Sequence, residues 1–334
     1  MFTKLYEKIK EYIKKEYKFL IIIISAFLLF TIKLPYYINM PGGIIDISKR
    51  IKIDDKNSQT GTLNFAYVSE LRATIPTYII SKLNKDWDIL KKEEVLYEYT
   101  EEEMNFIDTL SLKEAVSNAL YTAFKEANEP FKKTNEKIYV TGKYKEAKTD
   151  LKIKDQILKI NDIELKTIDD VKKINRYKPG EKVKITVLNN NKEYIREAEL
   201  ISYEGRTIIG VSIKETFEIE SNHKIEDIYK KRESGPSGGM MMALSIYGNL
   251  TNQDLTKGKK IVGTGTIDAY GNVGSIGGVK YKLIGAEKNK ADIFLVPNGE
   301  NYEEAMKIKK EKNYNIKIIG VSSLKEAINE LIKN

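Results

Sequence analysis

The residues in this sequence best suited to chemistry are a serine and a lysine, each set among glycines. Ser237 lies in Ser234-Gly235-Pro236-Ser237-Gly238-Gly239-Met240, ahead of an apolar run, residues 240–250, that reads as a helix. A serine there sits at a helix N-terminus, where backbone N–H groups point at any developing oxyanion. Its small neighbours let a peptide backbone approach closely. By itself a glycine-flanked serine also fits a turn with a helix N-cap. Lys280 follows in Gly274-Ser275-Ile276-Gly277-Gly278-Val279-Lys280, where a second helical run, residues 281–289, begins.

Composition narrows the chemistry. The 334 residues include no cysteine and one histidine, His223. Disulfides, thiol nucleophiles, Cys-ligated zinc and iron–sulfur clusters are excluded, and so is an H-E-x-x-H zinc site. A Ser-His-Asp triad would have a single candidate base, and His223, between Asn222 and Lys224, reads as part of an exposed loop. Hydrolysis must lean on Ser, Thr, Lys, Asp or Glu, with no metal and no cofactor expected. The net charge of +8 comes almost entirely from lysine rather than arginine. Without arginine forks for bases and phosphates, nucleic acid is not an expected partner.

The elements that must position these motifs read as a mixed α+β chain. Residues 44–53 alternate as a strand would, and 61–68 (GTLNFAYV) read as another strand. Residues 74–83 and 111–127 read as helices, the second with Ser111 as N-cap and Glu114 at capping-box spacing. Between the glycine motifs, residues 261–268 form a buried-looking strand rich in hydroxyls, including Thr264 and Thr266. Residues 131–204 read as a separate β-rich unit, with strands at 137–141 and 183–188 and a helix at 168–174. Ala147, Leu151, Asp155, Ile157, Leu158, Ile160, Asn161 and the later Pro179-Gly180 make this unit resemble a PDZ domain of the bacterial protease type. The resemblance implies capture of an extended peptide by strand addition, at Ile138, Tyr139 and Val140.

The pair GPSGG and GGVK, with the strand TGTID between them, resembles the proteolytic domain of Lon-type proteases. That resemblance implies a Ser-Lys dyad, with Ser237 as nucleophile and Lys280 as general base. Thr264 falls on the threonine of the strand beside the lysine, and Thr266 stands where the family carries glutamate. Gly235, Pro236 and Gly238 shape the loop around the serine, Gly238 replacing the usual alanine. At its reference pKa of ~10.4 a lysine is neutral about once in 2,500 at pH 7, a poor base. Burial can lower that value by ~3–5 units, and Ile276 and Val279 are apolar neighbours of the right kind. No G-x-x-x-x-G-K-[ST] loop occurs in the sequence, so ATP independence is expected.

Residues 19–32 carry no charge. Extended to 17–38 they give about 33 Å of helix, enough for ~30 Å of hydrocarbon, with Lys18 and Lys33 towards the ends and Tyr17, Tyr36 and Tyr37 as an aromatic belt. The lysine-rich residues 1–18 then stay cytoplasmic and the remainder lies outside. Anchor, PDZ-like unit and Lon-type domain in this order resemble the membrane-tethered, ATP-independent serine proteases of Gram-positive bacteria. The motif Leu34-Pro35-Tyr36-Tyr37 with Pro41-Gly42 belongs to the same likeness.

The expected architecture is therefore α+β: a cytoplasmic basic segment (1–18), a transmembrane helix (17–38), a first part of a Lon-type protease domain (44–130), a PDZ-like domain (131–204) and the catalytic Lon domain (205–334). The PDZ-like β-rich domain is either inserted in the Lon proteolytic domain or precedes it. The expected function is cleavage of extracytoplasmic peptides or small exported proteins at the cell membrane, as in pheromone maturation. Homo-oligomeric assembly is open, since Lon-type domains often form rings. The contrasting expectation is a catalytically silent PDZ scaffold that binds peptides without turnover.

Overall fold

The computed structural model describes residues 2–230 and 233–334. The elements used below are α1 (Phe2–Thr31), β1 (Tyr36–Asp46), β2 (Thr62–Arg72), β3 (Asp88–Lys91), α2 (Glu101–Glu126), β4 (Phe131–Lys143), β5 (Gln156–Ile160), β6 (Lys182–Asn189), β7 (Lys192–Glu199), β8 (Val211–Ser221), α3 (Gly239–Thr251), β9 (Lys260–Gly263), α4 (Val279–Lys288), β10 (Ile293–Pro297) and β11 (Lys317–Val321). The chain divides into two units, residues 1–42 with 68–98, and residues 43–67 with 99–334.

In the first unit the expected membrane helix is not formed. α1 ends at Thr31, and Tyr36, Tyr37 and Ile38 are instead paired with Lys91, Leu90 and Ile89 of β3. Pro35 explains the break, because the residue before a proline is driven out of the helical region. Ile38 is fully buried in this arrangement. The uncharged part of α1 then covers residues 19–31, about 20 Å at ~1.5 Å per residue, too short for ~30 Å of hydrocarbon. Among the described residues no helix is long and apolar enough to cross a membrane. Ile21, Ile22, Phe27 and Phe30 of α1 are each more than half exposed.

The second unit contains a parallel sheet in the order β11-β10-β9-β2. β9 runs parallel to both β2 and β10, with Val262 opposite Asn64 on one side and Phe294 on the other. Successive residues on these strands face opposite sides, and both sides are covered, as a parallel sheet requires. Leu63, Ile261, Ile293 and Leu295 pack with Leu112, Leu120 and Phe124 of α2 and with Met240, Leu244 and Ile246 of α3. On the other face Ala66, Val262, Phe294 and Val296 pack with Val279, Leu283 and Ala286 of α4. Segments on either side of residues 131–204 therefore build one core.

α2 is longer than its sequence pattern indicates. Thr100 caps it, accepting from the Glu103 N–H, and Glu103 closes the box on the Thr100 N–H. Ser111 is an interior residue whose hydroxyl donates to the Ile107 carbonyl. The acidic run 101–103 opens the helix because carboxylates favour a helix N-terminus.

Residues 131–221 form a second sheet, in the order β8-β4-β5-β6-β7. Its core is Val140, Leu151, Ile157, Ile160, Val183, Ile185 and Val187, closed by Ile174 of the 3-10 helix Ile168–Arg176. Asp155 is fully buried and satisfied: it accepts from the Lys152 N–H, from Asn189 Nδ2 at 2.6 Å and from Arg196 Nε at 3.1 Å. β8 runs antiparallel along β4, and its Phe217 exchanges hydrogen bonds with the Ser117 hydroxyl of α2.

Candidate active site

The Ser237 turn sits where the first residues of α3 meet the loop after β9. Gly235, at φ +85°, takes a left-handed conformation that a side chain would strain. Gly239 opens α3 so close to Ile267 that a Cβ would lie 2.9 Å from its Cγ2. The turn is tied down by backbone contacts. Gly235 N–H donates to the Asp108 carbonyl at 3.0 Å, Gly265 N–H to the Ser237 carbonyl at 2.7 Å, and Met240 N–H to the Gly265 carbonyl at 3.0 Å. Gly238 is the residue before the helix, with Pro236 accepting from Gly239 N–H at 3.1 Å.

Thr264 is fully buried and donates its hydroxyl to the Ser237 carbonyl at 3.1 Å. The same hydroxyl oxygen accepts from an ammonium or amine at 3.1 Å, and that nitrogen belongs to Lys282. Lys282 is 3% exposed. Burial alone pushes its pKa down to about 8. A buried, partly neutral lysine is thus linked through one hydroxyl to the backbone of Ser237.

Lys280 does not occupy that position. It is half-buried, and its Nζ stands 5.4 Å from the ring centre of Tyr281. Two residues on a helix are separated by about 200°, so Lys280 and Lys282 point to opposite sides of α4. The sequence carries a signal for the burial of Lys282. Lys282 is three residues after Val279 and four before Ala286, on the apolar stripe that packs under the sheet.

Thr266 pairs with Gly274 and lines a cleft of about 320 Å³ with Pro236, Ala115, Asn118, Asp268 and the ion pair Lys214–Glu114. This cleft opens beside the Ser237 turn. His223 is not on an exposed loop: its Nδ1 is 2.8 Å from Asp54, its Nε2 is 3.4 Å from Glu129, and its ring stands edge-on to Phe124. Those two carboxylates, Asp54 first, raise its pKa.

Ile138, Tyr139 and Val140 lie on β4, but not at an edge. Glu215, Lys214 and Ile213 of β8 pair with them on one side, while β5 takes Ile138 and Tyr139 on the other. Glu215 also reaches across to accept from the Ile168 N–H at 2.8 Å. The chain itself therefore fills the place where an added peptide strand would lie.

Residues 212–334 match the Lon protease (S16) C-terminal proteolytic domain. This part of the chain resembles a Lon-type proteolytic domain. The chain is 31% identical over 99 residues to a Lon protease of an Aster yellows witches'-broom phytoplasma, covering 30% of this chain and 12% of that protein. It is 33% identical over 130 residues to a Lon protease of Campylobacter concisus, covering 34% of this chain and 15% of that protein. The chain thus spans a small fraction of the length of these relatives. A PDZ domain of an SdrC-like protein from Listeria monocytogenes is also similar at 24% identity, over 23% of this chain and 85% of that one, with a TM-score of 0.20. The Lon-type match begins inside β8, and it contains Ser237, Thr264 and Lys282 together.

Proposed function

We propose that this chain is an ATP-independent serine endopeptidase in which Ser237 is the nucleophile and Lys282, in place of Lys280, is the general base. The observation that carries this reading is the hydrogen-bonded series Lys282 Nζ, Thr264 Oγ1 and Ser237 carbonyl around a buried amine. With a pKa near 8, about a tenth of Lys282 is neutral at pH 7, against about 0.04% for an unperturbed lysine. Neutral Lys282 takes the proton as Ser237 Oγ bonds to the scissile carbonyl carbon. The resulting ammonium returns that proton to the departing amine, leaving an acyl-enzyme. Water then attacks the ester with Lys282 accepting its proton, and the ammonium returns that proton to Ser237 Oγ as the acyl C–O bond breaks and the acid product leaves. Developing oxyanion charge falls at the N-terminus of the thirteen-residue helix α3, where the helix dipole favours it.

The substrates in this proposal are extracytoplasmic peptides or small exported proteins, laid into the cleft beside Pro236, with pheromone-like processing as one use. The exposed apolar run of α1, preceded by lysines, supports attachment to an anionic lipid surface by interfacial burial.

Full-length protein should hydrolyse unstructured peptides and be labelled by a fluorophosphonate, while Ser237→Ala should do neither and keep its circular dichroism spectrum. Turnover by Ser237→Ala at the wild-type rate would remove the proposal.

A further inference from the structure

Four residues before Ser237, Glu233 is gripped by an arginine from a distant part of the chain. Arg50 Nη2 donates to Glu233 Oε1 at 2.6 Å and Arg50 Nε to Oε2 at 2.8 Å, a two-pronged pair 183 positions apart in sequence. Both side chains are largely out of water, 10% and 17% exposed. Arg50 is anchored as well. Its Nη1 donates to the Lys49 carbonyl at 3.0 Å, its backbone N–H to the Ile47 carbonyl, and its carbonyl accepts from the Ile228 N–H. The flanking Ile47 and Ile51 are buried in the same core as Met240, Met242 and Ile246 of α3.

The outgoing side of the Ser237 turn is held by Gly265 and Thr264, as described above. Its incoming side is the short stretch Ser234 to Pro236, held at Gly235 by the Asp108 carbonyl, with Glu233 at its far end. A guanidinium fork fixes both the distance and the orientation of a carboxylate, which a lysine point charge does not. We propose that Arg50 is a positioning residue for Ser237, acting through Glu233 to hold the incoming limb of the nucleophile turn against the core beneath α3. This rests on Ser237 being the nucleophile. Small misplacements of a reacting atom cost on the order of 10²-fold in rate.

The test uses the full chain and four variants: Arg50→Lys, Glu233→Gln, the double variant, and Ser237→Ala. Readouts are the rate constant for fluorophosphonate labelling, kcat and KM on a peptide, the pH profile, and the melting temperature. Arg50→Lys should label 10- to 100-fold more slowly with kcat reduced alike, KM within twofold and the basic limb of the pH profile unmoved. Glu233→Gln should lose less, because its amide keeps one of the two contacts. Should Arg50→Lys fail to fold, Glu233→Gln carries the test alone. The double variant should be no slower than Arg50→Lys, since both changes break one contact. Labelling within twofold of wild type in either folded single variant would overturn the assignment. Losses that multiply in the double variant would also overturn it, since Arg50 would then act independently of Glu233. Equal labelling of wild type and Ser237→Ala would instead overturn the nucleophile reading, and this inference with it.

Discussion

Replacing Lys282 with methionine should cut turnover sharply and, at neutral pH, make the protein more stable. Burial holds this amine at about 8 where its ordinary value is 10.5, a difference of about 2.5. At ~1.4 kcal/mol per unit, the folded state disfavours the ammonium by about 3 kcal/mol relative to the unfolded chain. Between pH 8 and 10.5 the unfolded chain binds more protons, so stability rises with pH across that window. Below pH 8 the full penalty applies. Methionine has a similar shape and no charge, and it loses one hydrogen bond to Thr264, worth about 1 kcal/mol. The net gain at pH 7 is on the order of 2 kcal/mol and should disappear by about pH 10.5. Urea unfolding at the two pH values reads the stability. Peptide hydrolysis reads the function, where loss of the base should cost ~10²–10⁴-fold. Wild-type kcat/KM should climb about tenfold from pH 7 to 9 as the neutral fraction rises from about a tenth to about nine-tenths. Lys280→Met should keep the wild-type profile. A Lys282→Met protein with near-normal turnover, or an inactive Lys280→Met protein that is folded, would refute the reasoning.

Two further outcomes bear on the scaffold around the site. Asp155→Ala strands Arg196 in a site where it is 14% exposed, and should cost the β-rich sheet about 3–5 kcal/mol, read as a lowered unfolding midpoint. A cost below ~1 kcal/mol would mean that the buried pair is not needed. His223 has its pKa raised by Asp54 and Glu129, so its stabilising contribution is complete below the ordinary value of 6.5 and is lost as pH rises through the raised one. His223→Gln should therefore destabilise more at pH 6 than at pH 9 in urea titrations, and a pH-independent difference would refute that linkage.

Much of the fold is legible in the sequence because its signals are local. The apolar run of residues 240–250 reports a helix and residues 61–68 report a strand, and both are present, as α3 and within β2. The serine turn is legible for the same reason, since its glycines serve adjacent backbone. The glycine motif does not discriminate Lys280 from Lys282, because a two-residue shift leaves it intact while turning the side chain to the other side of the helix. Burial of Lys282 follows from packing between α4 and the sheet, which only the apolar stripe hints at. The aromatic residues Tyr36 and Tyr37 read as a membrane belt from their local surroundings. Pairing with β3, remote in sequence, decides for the strand. Arg50 and Glu233 carry no mutual signal at all across 183 positions.

β8 means that similarity and folding draw their boundaries in different places. The Lon-type match starts at residue 212, yet β8 is hydrogen-bonded along β4 of the preceding sheet. Its alternate side chains serve two clients: Ile213 packs in the core of that sheet, while Lys214 pairs with Glu114 of α2 on the cleft wall. A cut at 212 would leave the catalytic-type fragment with an orphaned strand and the β-rich fragment with an open, hydrogen-bond-hungry edge, a template for aggregation. Exchanging the β-rich module between relatives would likewise require β8 to travel with it. The exchanged strand would then have to satisfy two neighbours at once, one on each of its faces.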